Sequence, residues 1–317
     1  MFQLTTPVVI FIFNRPDLTR QVFAEIRNAR PERLLIVADG PRPDHPEDIQ
    51  YCAAARDIVE KVDWPCDVQK NYSQNNLGCE RRVATGLDWV FEQAETAIIL
   101  EDDCLPDPCF FRFCQEILER YRDDPRIMVV GSCNFRYKKM RAPFSYYFSR
   151  FHHPWGWASW RRAWQHFDFD MQQWPDARDA GWPAHTFPRR GLLRDIWRDD
   201  GRTLRFWTNT FQQTYDGNKN TWDYRWAFAC FLNGGLSVMP DRNLVTNIGF
   251  DDRGTHTRKG RCKLRLCDEP MPFPLNHPPK VVCDIEADRR MQRYHFATSF
   301  LNCLKQKIKN IRKRFPL

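Results

Sequence analysis

From Val8 to Val130 the chain alternates short apolar runs with amphipathic segments, and this alternation restricts the fold more than any other feature of the 317 residues. Apolar runs bounded by turn residues read as buried parallel strands, and the segments between them as crossover helices. The pattern predicts strands at Val8 to Phe13, Leu34 to Ala38, Asp67 to Asn71, Ala97 to Leu100 and Ile127 to Val130. Helices are expected over Asp17 to Arg27, Ile49 to Val62, Gly78 to Ala94 and Pro108 to Arg122. Strand and helix taking turns in this way argue for an α/β fold, a doubly wound, mostly parallel sheet with right-handed crossovers. Ligands of such sheets bind in the crevice at the carboxyl ends of the strands. Two acidic positions fall there, Asp39 after the second strand and Glu101, Asp102 and Asp103 after the fourth.

Beyond about residue 136 aromatic residues, Arg and Pro dominate, as in "FHHPWGWASWRRAW" from Phe151 to Trp164. The next clear signal is "TWDYRWAFACFLNGG", a helix over Thr221 to Gly235 stopped by Gly234-Gly235. Gln165 to Asn220 is the least readable part. The organisation expected is one domain over 1–285, with a sheet-forming part at 1–135 and an aromatic-rich part at 136–285, followed by a basic C-terminal helix at 286–317.

The "AIILEDDCLPD" stretch, Ala97 to Asp107, sets three adjacent carboxylates at the end of an apolar strand. Such a triplet is either a polar loop capping the next helix or a site that wants positive charge. Hard carboxylate oxygens without His or Cys suit Mg2+ or Mn2+, which commonly share their coordination with substrate phosphates.

These residues resemble the acidic motif of GT-A glycosyltransferases, whose last acid binds the metal of a nucleotide-sugar. "NNLGCERRVATG" is similar to the N-x-G…R-N-x-G pattern of family 2 glycosyltransferases through Asn76, Gly78, Arg82 and Gly86, with Val83 where that pattern has a second Asn. The chain more closely resembles the N-acetylglucosaminyltransferase I group. "VVIFIFNRPD", "IVADG", "HHPWGWASW", "TWDYRW" and "GFDDRGTHT" match its motifs in order along much of the chain. The resemblance implies a GT-A fold and a metal-dependent, inverting transfer of a hexosyl or N-acetylhexosaminyl unit. The donor would be UDP- or GDP-linked and the acceptor a glycan or lipid-linked saccharide. It implies Asp103 as ligand of Mn2+ or Mg2+, Arg15 on the nucleotide and Asp39 on the base. Asn76, Gly78 and Arg82 would shape the donor pocket, and Glu101 and Asp102 would lie near the ribose and donor sugar. Thr255 and His256 would form the loop over the diphosphate, Trp155, Gly156 and Trp157 the sugar platform, and Asp223 the catalytic base. The other reading of Asp223 is a helix cap or a salt bridge to Arg225.

Two rival functions follow from the same residues. A nucleotidyltransferase would need a glycine-rich phosphate loop where this chain has "FNRPD". A non-catalytic protein could use the aromatics to hold glycans or nucleic acid. The net charge of +8 comes largely from Lys305, Lys307, Lys309, Arg312, Lys313 and Arg314 close to the C-terminus, so the overall field does not suit nucleic acid. That tail is expected either to pack as a final helix or to lie on an anionic membrane surface. The 12 scattered cysteines are read as reduced thiols. With no basic leader before its first apolar run, the chain is expected in the cytoplasm, with peripheral contact to the inner face of the cell membrane if the tail binds there.

Overall fold

The computed structural model describes residues 2–134, 143–182, 202–250, 266 and 269–292. Strand β1 (Val8–Ile12) is buried at every position. Val8, Ile10 and Ile12 enter one apolar layer and Val9 and Phe11 the other, as a strand covered on both faces must. Its parallel partners are β2 (Arg33–Ala38) on one side and β4 (Thr96–Glu101) on the other, and β3 (Asp67–Tyr72) lies outside β2.

Four helices cross over between these strands. Helices α1 (Pro16–Ala29), α2 (Glu47–Val59) and α4 (Pro108–Arg120) cover one face through residues such as Val22, Ile58 and Phe113. The opposite face takes α3 (Gly78–Gln93), through Val83, Leu87 and Val90. The elements expected from the sequence thus stand close to their expected ends.

The full sheet has eight strands in the order β3-β2-β1-β4-β8-β6-β9-β7. Its second half holds β6 (Ile127–Gly131), β7 (Tyr146–Ser149), β8 (Trp157–Trp160) and β9 (Leu236–Pro240). Strands β3, β2, β1, β4, β6 and β9 run one way, and β8 and β7 run against them. The sheet is therefore α/β and mostly parallel, as expected. The fifth predicted strand, β6, does not lie beside the fourth, because β8 is inserted between them with Ile99 and Gly131 both opposite Trp157. No alternation marks β8 in the sequence, since all four of its residues are buried.

The aromatic second half adds α5 (Arg161–Trp164), α6 (Trp174–Asp179), α7 (Arg202–Tyr215) and α8 (Trp222–Leu232). Trp157, Trp164, Trp222 and Trp226 pack together over the sheet, with Trp164 and Trp226 centroids 5.1 Å apart. A short antiparallel ribbon joins β5 (Cys104–Pro106), just past the acidic turn, to β10 (Val245–Asn247). Helix α9 (Ile285–Met291) begins the expected C-terminal helix, and Met291 is buried in the aromatic core. The rest of the tail, with its six cations, lies outside the described residues. The nine cysteines within them are free thiols, and no described helix is long and apolar enough to cross a membrane.

Candidate active site at the switch point of the sheet

From β1 the chain crosses to β2 and β3 on one side and then returns to β4 on the other. The strand order therefore reverses between β1 and β4, which is where the carboxyl ends of a doubly wound sheet leave an open crevice. Arg15 follows β1 and the Glu101–Asp103 turn closes β4, so both flank that crevice.

The guanidinium of Arg15 joins the two aspartates of the turn. Its Nε donates to Asp102 Oδ2 at 3.3 Å, Nη2 to Asp102 Oδ1, and Nη1 to Asp103 Oδ2 at 2.9 Å. The backbone carbonyl of Arg15 is fixed by the amide and hydroxyl of Thr19, each at 2.9 Å, in the first turn of α1. Asp103 Oδ1 accepts from Asn247 Nδ2 at 3.3 Å, and Ile248 donates its amide to the Asp103 carbonyl at 2.8 Å. Gly249 lies against this pair. A methyl group there would overlap Asp103 Oδ2 and stand 2.8 Å from Arg15 Nη1, so the close approach needs a residue without a Cβ.

The electrostatics follow from this packing. Burial raises the pKa of Glu101, and Asp103 and Asp102 raise it further, to about 8. Burial lifts Asp102 to about 6 against the pull of Arg15. Burial alone would lower the Arg15 guanidinium, but its two carboxylate partners outweigh that and lift it above its ordinary value. Cys79, in the first turn of α3, is pushed far up by burial and then by the charges of Glu101, Asp223 and Asp103. Charges from both halves of the chain therefore act on one helix start.

Asp223 stands in the first turn of α8, where Thr221 Oγ1 donates to its Oδ1. It does not pair with Arg225, whose Nε and Nη2 reach Glu80 Oε1 at 2.9 and 2.7 Å while Nη1 bonds the Phe169 carbonyl. This pair ties the first turn of α8 to the first turn of α3. Close by, burial lowers His152 to about 4, so the imidazole is neutral at pH 7. Glu80, Asn247, Gly249 and Cys79 were missed by sequence reasoning, and Arg225 was named only as a partner for Asp223. Asn247 and Gly249 do adjoin or begin the "GFDDRGTHT" motif; the pairing of Glu80 with Arg225, from opposite halves of the chain, left no sequence signal.

Asp39, Asn76, Gly78 and Arg82 do come together, as a second cluster. Asp39 Oδ1 accepts the amides of Gly40 and Leu77, both at 2.9 Å, and Oδ2 accepts Gly78 N at 3.0 Å and Asn76 Nδ2 at 3.1 Å. Arg82 donates to the Ala38 carbonyl at 3.1 Å and to the Asn71 carbonyl and side chain. All four acceptor positions of Asp39 are thus used on the loop that opens α3 and on its own neighbour.

The aromatic platform is smaller than expected. Trp157 is 1% exposed at the centre of the sheet and has no face to offer a sugar. Gly156, at φ +63°, turns the chain between the two tryptophans, and Trp155 is the one left half-buried, set edge-on to Phe250 at 5.8 Å. Thr255 and His256 lie outside the described residues.

A divalent ion does not fit this cluster as it is arranged. Both oxygens of Asp103 and both of Asp102 have partners, Gly249 covers the outer side of Asp103, and a guanidinium stands where a dication would go. Among the described residues no group of three His, Cys, Asp or Glu side chains could hold a metal.

No family model and no curated protein matches this sequence. Among solved structures the chain is similar to S. aureus TarS 1-349, with TM-score 0.40 and 10% identity over 76% of this chain and 59% of that one. A mannosyltransferase, PcManGT from Pyrobaculum calidifontis in complex with GDP-Man and Mn2+, gives TM-score 0.34 and 14% identity over 73% of this chain and 70% of that one. UDP-glucose pyrophosphorylase complexed with UDP-glucose gives TM-score 0.25 and 12% identity over 42% of this chain and 64% of that one. The chain thus spans 59% of the length of the TarS fragment.

Proposed function

We propose that this protein is a glycosyltransferase that moves a hexosyl or N-acetylhexosaminyl unit from a UDP- or GDP-linked donor to a glycan or lipid-linked saccharide. One observation carries the reading: one guanidinium, that of Arg15, joins Asp102 and Asp103 at the switch point of the sheet, beside Glu101, and Asp223 from a distant part of the chain is among the charges that raise Glu101. The motif resemblance and the α/β topology support it from the sequence side.

In the reaction the acceptor hydroxyl oxygen attacks the anomeric carbon as the bond from that carbon to the phosphate oxygen breaks. The nucleoside diphosphate leaves with the electron pair, and Asp223 takes the hydroxyl proton, as a general base in an inverting transfer. Asp102 and Glu101 lie toward the ribose and donor sugar, and Trp155 offers the acceptor or sugar an apolar face. The Asp39, Asn76, Gly78 and Arg82 cluster acts on the donor through the shape of the loop it holds. Mn2+ or Mg2+ at Asp103, which the resemblance implies, has no part in these steps. Thr255 and His256 keep, by that resemblance alone, a role on the diphosphate.

Thermal melting with UDP, GDP and their sugars tests the reading. A ligand at 100 times its Kd adds about 2.7 kcal/mol to stability, and hence a clear rise in Tm. Asp223→Asn is expected to keep that rise and to lose transfer by about 10^2 to 10^4, the usual worth of a general base. Melting curves unmoved by every nucleotide, with or without metal, would sink the transferase reading; full transfer by Asp223→Asn would remove the base.

A further inference from the structure

We propose that Arg15, rather than a divalent ion, supplies the cation that the Glu101–Asp103 turn requires, so that a nucleoside diphosphate binds this chain without metal. The identity of the ligand rests on the transferase reading; the part played by Arg15 does not. The argument begins with geometry. A guanidinium is a planar fork that matches carboxylates edge to edge, and here it holds Asp102 through two nitrogens and Asp103 through the third. Asn247 takes the other oxygen of Asp103 at 3.3 Å. A metal entering at Asp103 would have to displace Nη1 from Oδ2 and would leave a largely buried guanidinium beside a dication, two like charges in close contact.

Charge balance points the same way. The two aspartates already face one fixed positive charge at hydrogen-bond distance, held in the position an ion would take. Arg15 also has capacity to spare. Of its five N–H groups, three serve the aspartates, and the second hydrogen on each of Nη1 and Nη2 has no acceptor among the described residues, a capacity that phosphate oxygens would use. One residue can thus balance the turn and contact a diphosphate, which in a metal-dependent site are the tasks of the ion.

Two measurements on the full chain decide this. In the first, Mn2+ alone is titrated into nucleotide-free protein and followed by its electron spin resonance. Wild type is expected to bind none up to millimolar Mn2+, and Arg15→Met, which frees both aspartates, to bind at least ten-fold more tightly. Stoichiometric Mn2+ binding by wild type at micromolar concentration overturns the proposal. In the second, UDP and GDP are titrated by calorimetry in EDTA and again in Mn2+. Equal affinity in both supports the proposal, and binding seen only with Mn2+ overturns it. Arg15→Met is expected to lose ten-fold or more in EDTA, with Arg15→Lys between the two because it keeps the charge without the fork. If Arg15→Met fails to fold, the two wild-type titrations still decide. If neither nucleotide binds in any buffer, the transferase reading and the diphosphate half of this proposal both fall, while the Mn2+ titration still judges Arg15 as the counter-ion of the turn.

Discussion

The tie between Glu80 and Arg225 gives the sharpest stability prediction. The Arg225 side chain is 8% exposed and that of Glu80 18%, so both charges are largely withdrawn from water. Arg225 makes two bonds to one Glu80 oxygen and a third to the Phe169 carbonyl, and its guanidinium lies 4.4 Å over the Phe169 ring. Arg225→Met keeps much of the volume and removes all three bonds, leaving a carboxylate and a carbonyl without their donor. Breaking a buried pair from one side costs about 3 to 5 kcal/mol. Glu80→Gln keeps an acceptor and should cost about 1 to 2 kcal/mol, the range of one charge-assisted hydrogen bond reduced to a neutral one. Because the two residues share their bonds, the double variant should fall short of the sum by about 2 kcal/mol. Urea unfolding of the four proteins, followed by tryptophan fluorescence, reads this directly if the m-values agree. A second readout follows from position, since Arg225 lies in the same helical turn as Asp223. Both single variants should lower the transfer rate more than they weaken nucleotide binding. Additive effects within about 0.5 kcal/mol would refute the coupling, and with it the claim that this pair fixes α8 against α3.

Other outcomes follow from the same contacts. Because the folded state holds the Glu101 pKa near 8, above its ordinary 4.5, folding takes up a proton between those values and stability falls as pH rises through the window. The slope attributable to Glu101 is at most about 1.4 kcal/mol per pH unit, and pH-dependent denaturation should show it flattened in Glu101→Gln. Trp157→Ala should cost about 3 to 5 kcal/mol as a core truncation, whereas Trp155→Ala should cost far less stability and act on acceptor KM, both readable by melting and kinetics. Asp39→Ala removes the acceptor of four donors, three on the loop that opens α3 and the fourth the Gly40 amide, and should cost about 2 kcal/mol or more, with faster amide hydrogen exchange at Leu77 and Gly78 as the local sign.

Strands β1, β2 and β4 and the crossover helices were legible because each writes its burial locally, as an apolar run or a helical stripe, whereas β3 at the sheet edge is exposed or half-buried throughout and signals itself more weakly. The second half was not, because β8 is held by partners far from it in the chain on both sides, Ile99 and Gly131 included, and its four buried residues carry no alternation. The candidate site divides in the same way. The acidic turn and the end of β1 could be read from their strands, and Asn76, Gly78 and Arg82 from a motif. That the turn's partner is Arg15 could not, since Arg15 and Asp103 stand far apart in the chain and only the strand order brings them together. The resemblance that placed an ion at Asp103 carried the family's acid but not the arrangement of this guanidinium. Trp157 was misplaced because its neighbour Trp155 is half-exposed and one glycine separates them.

The insertion of β8 also bears on how the protein is made. During synthesis the N-terminal strands emerge first, and β4 then has β1 on one side and nothing on the other. Thr96, Ala97, Ile98 and Ile99 pair with Trp160, Ser159, Ala158 and Trp157, so this apolar edge stays open until the ribosome has carried the chain past Trp160. An open hydrophobic edge invites pairing with other chains. A fragment cut before Trp157 would keep β1 to β4 and yet carry that edge permanently. The two halves are therefore not separable modules, and truncation after Phe135 is expected to yield aggregates rather than a small folded domain.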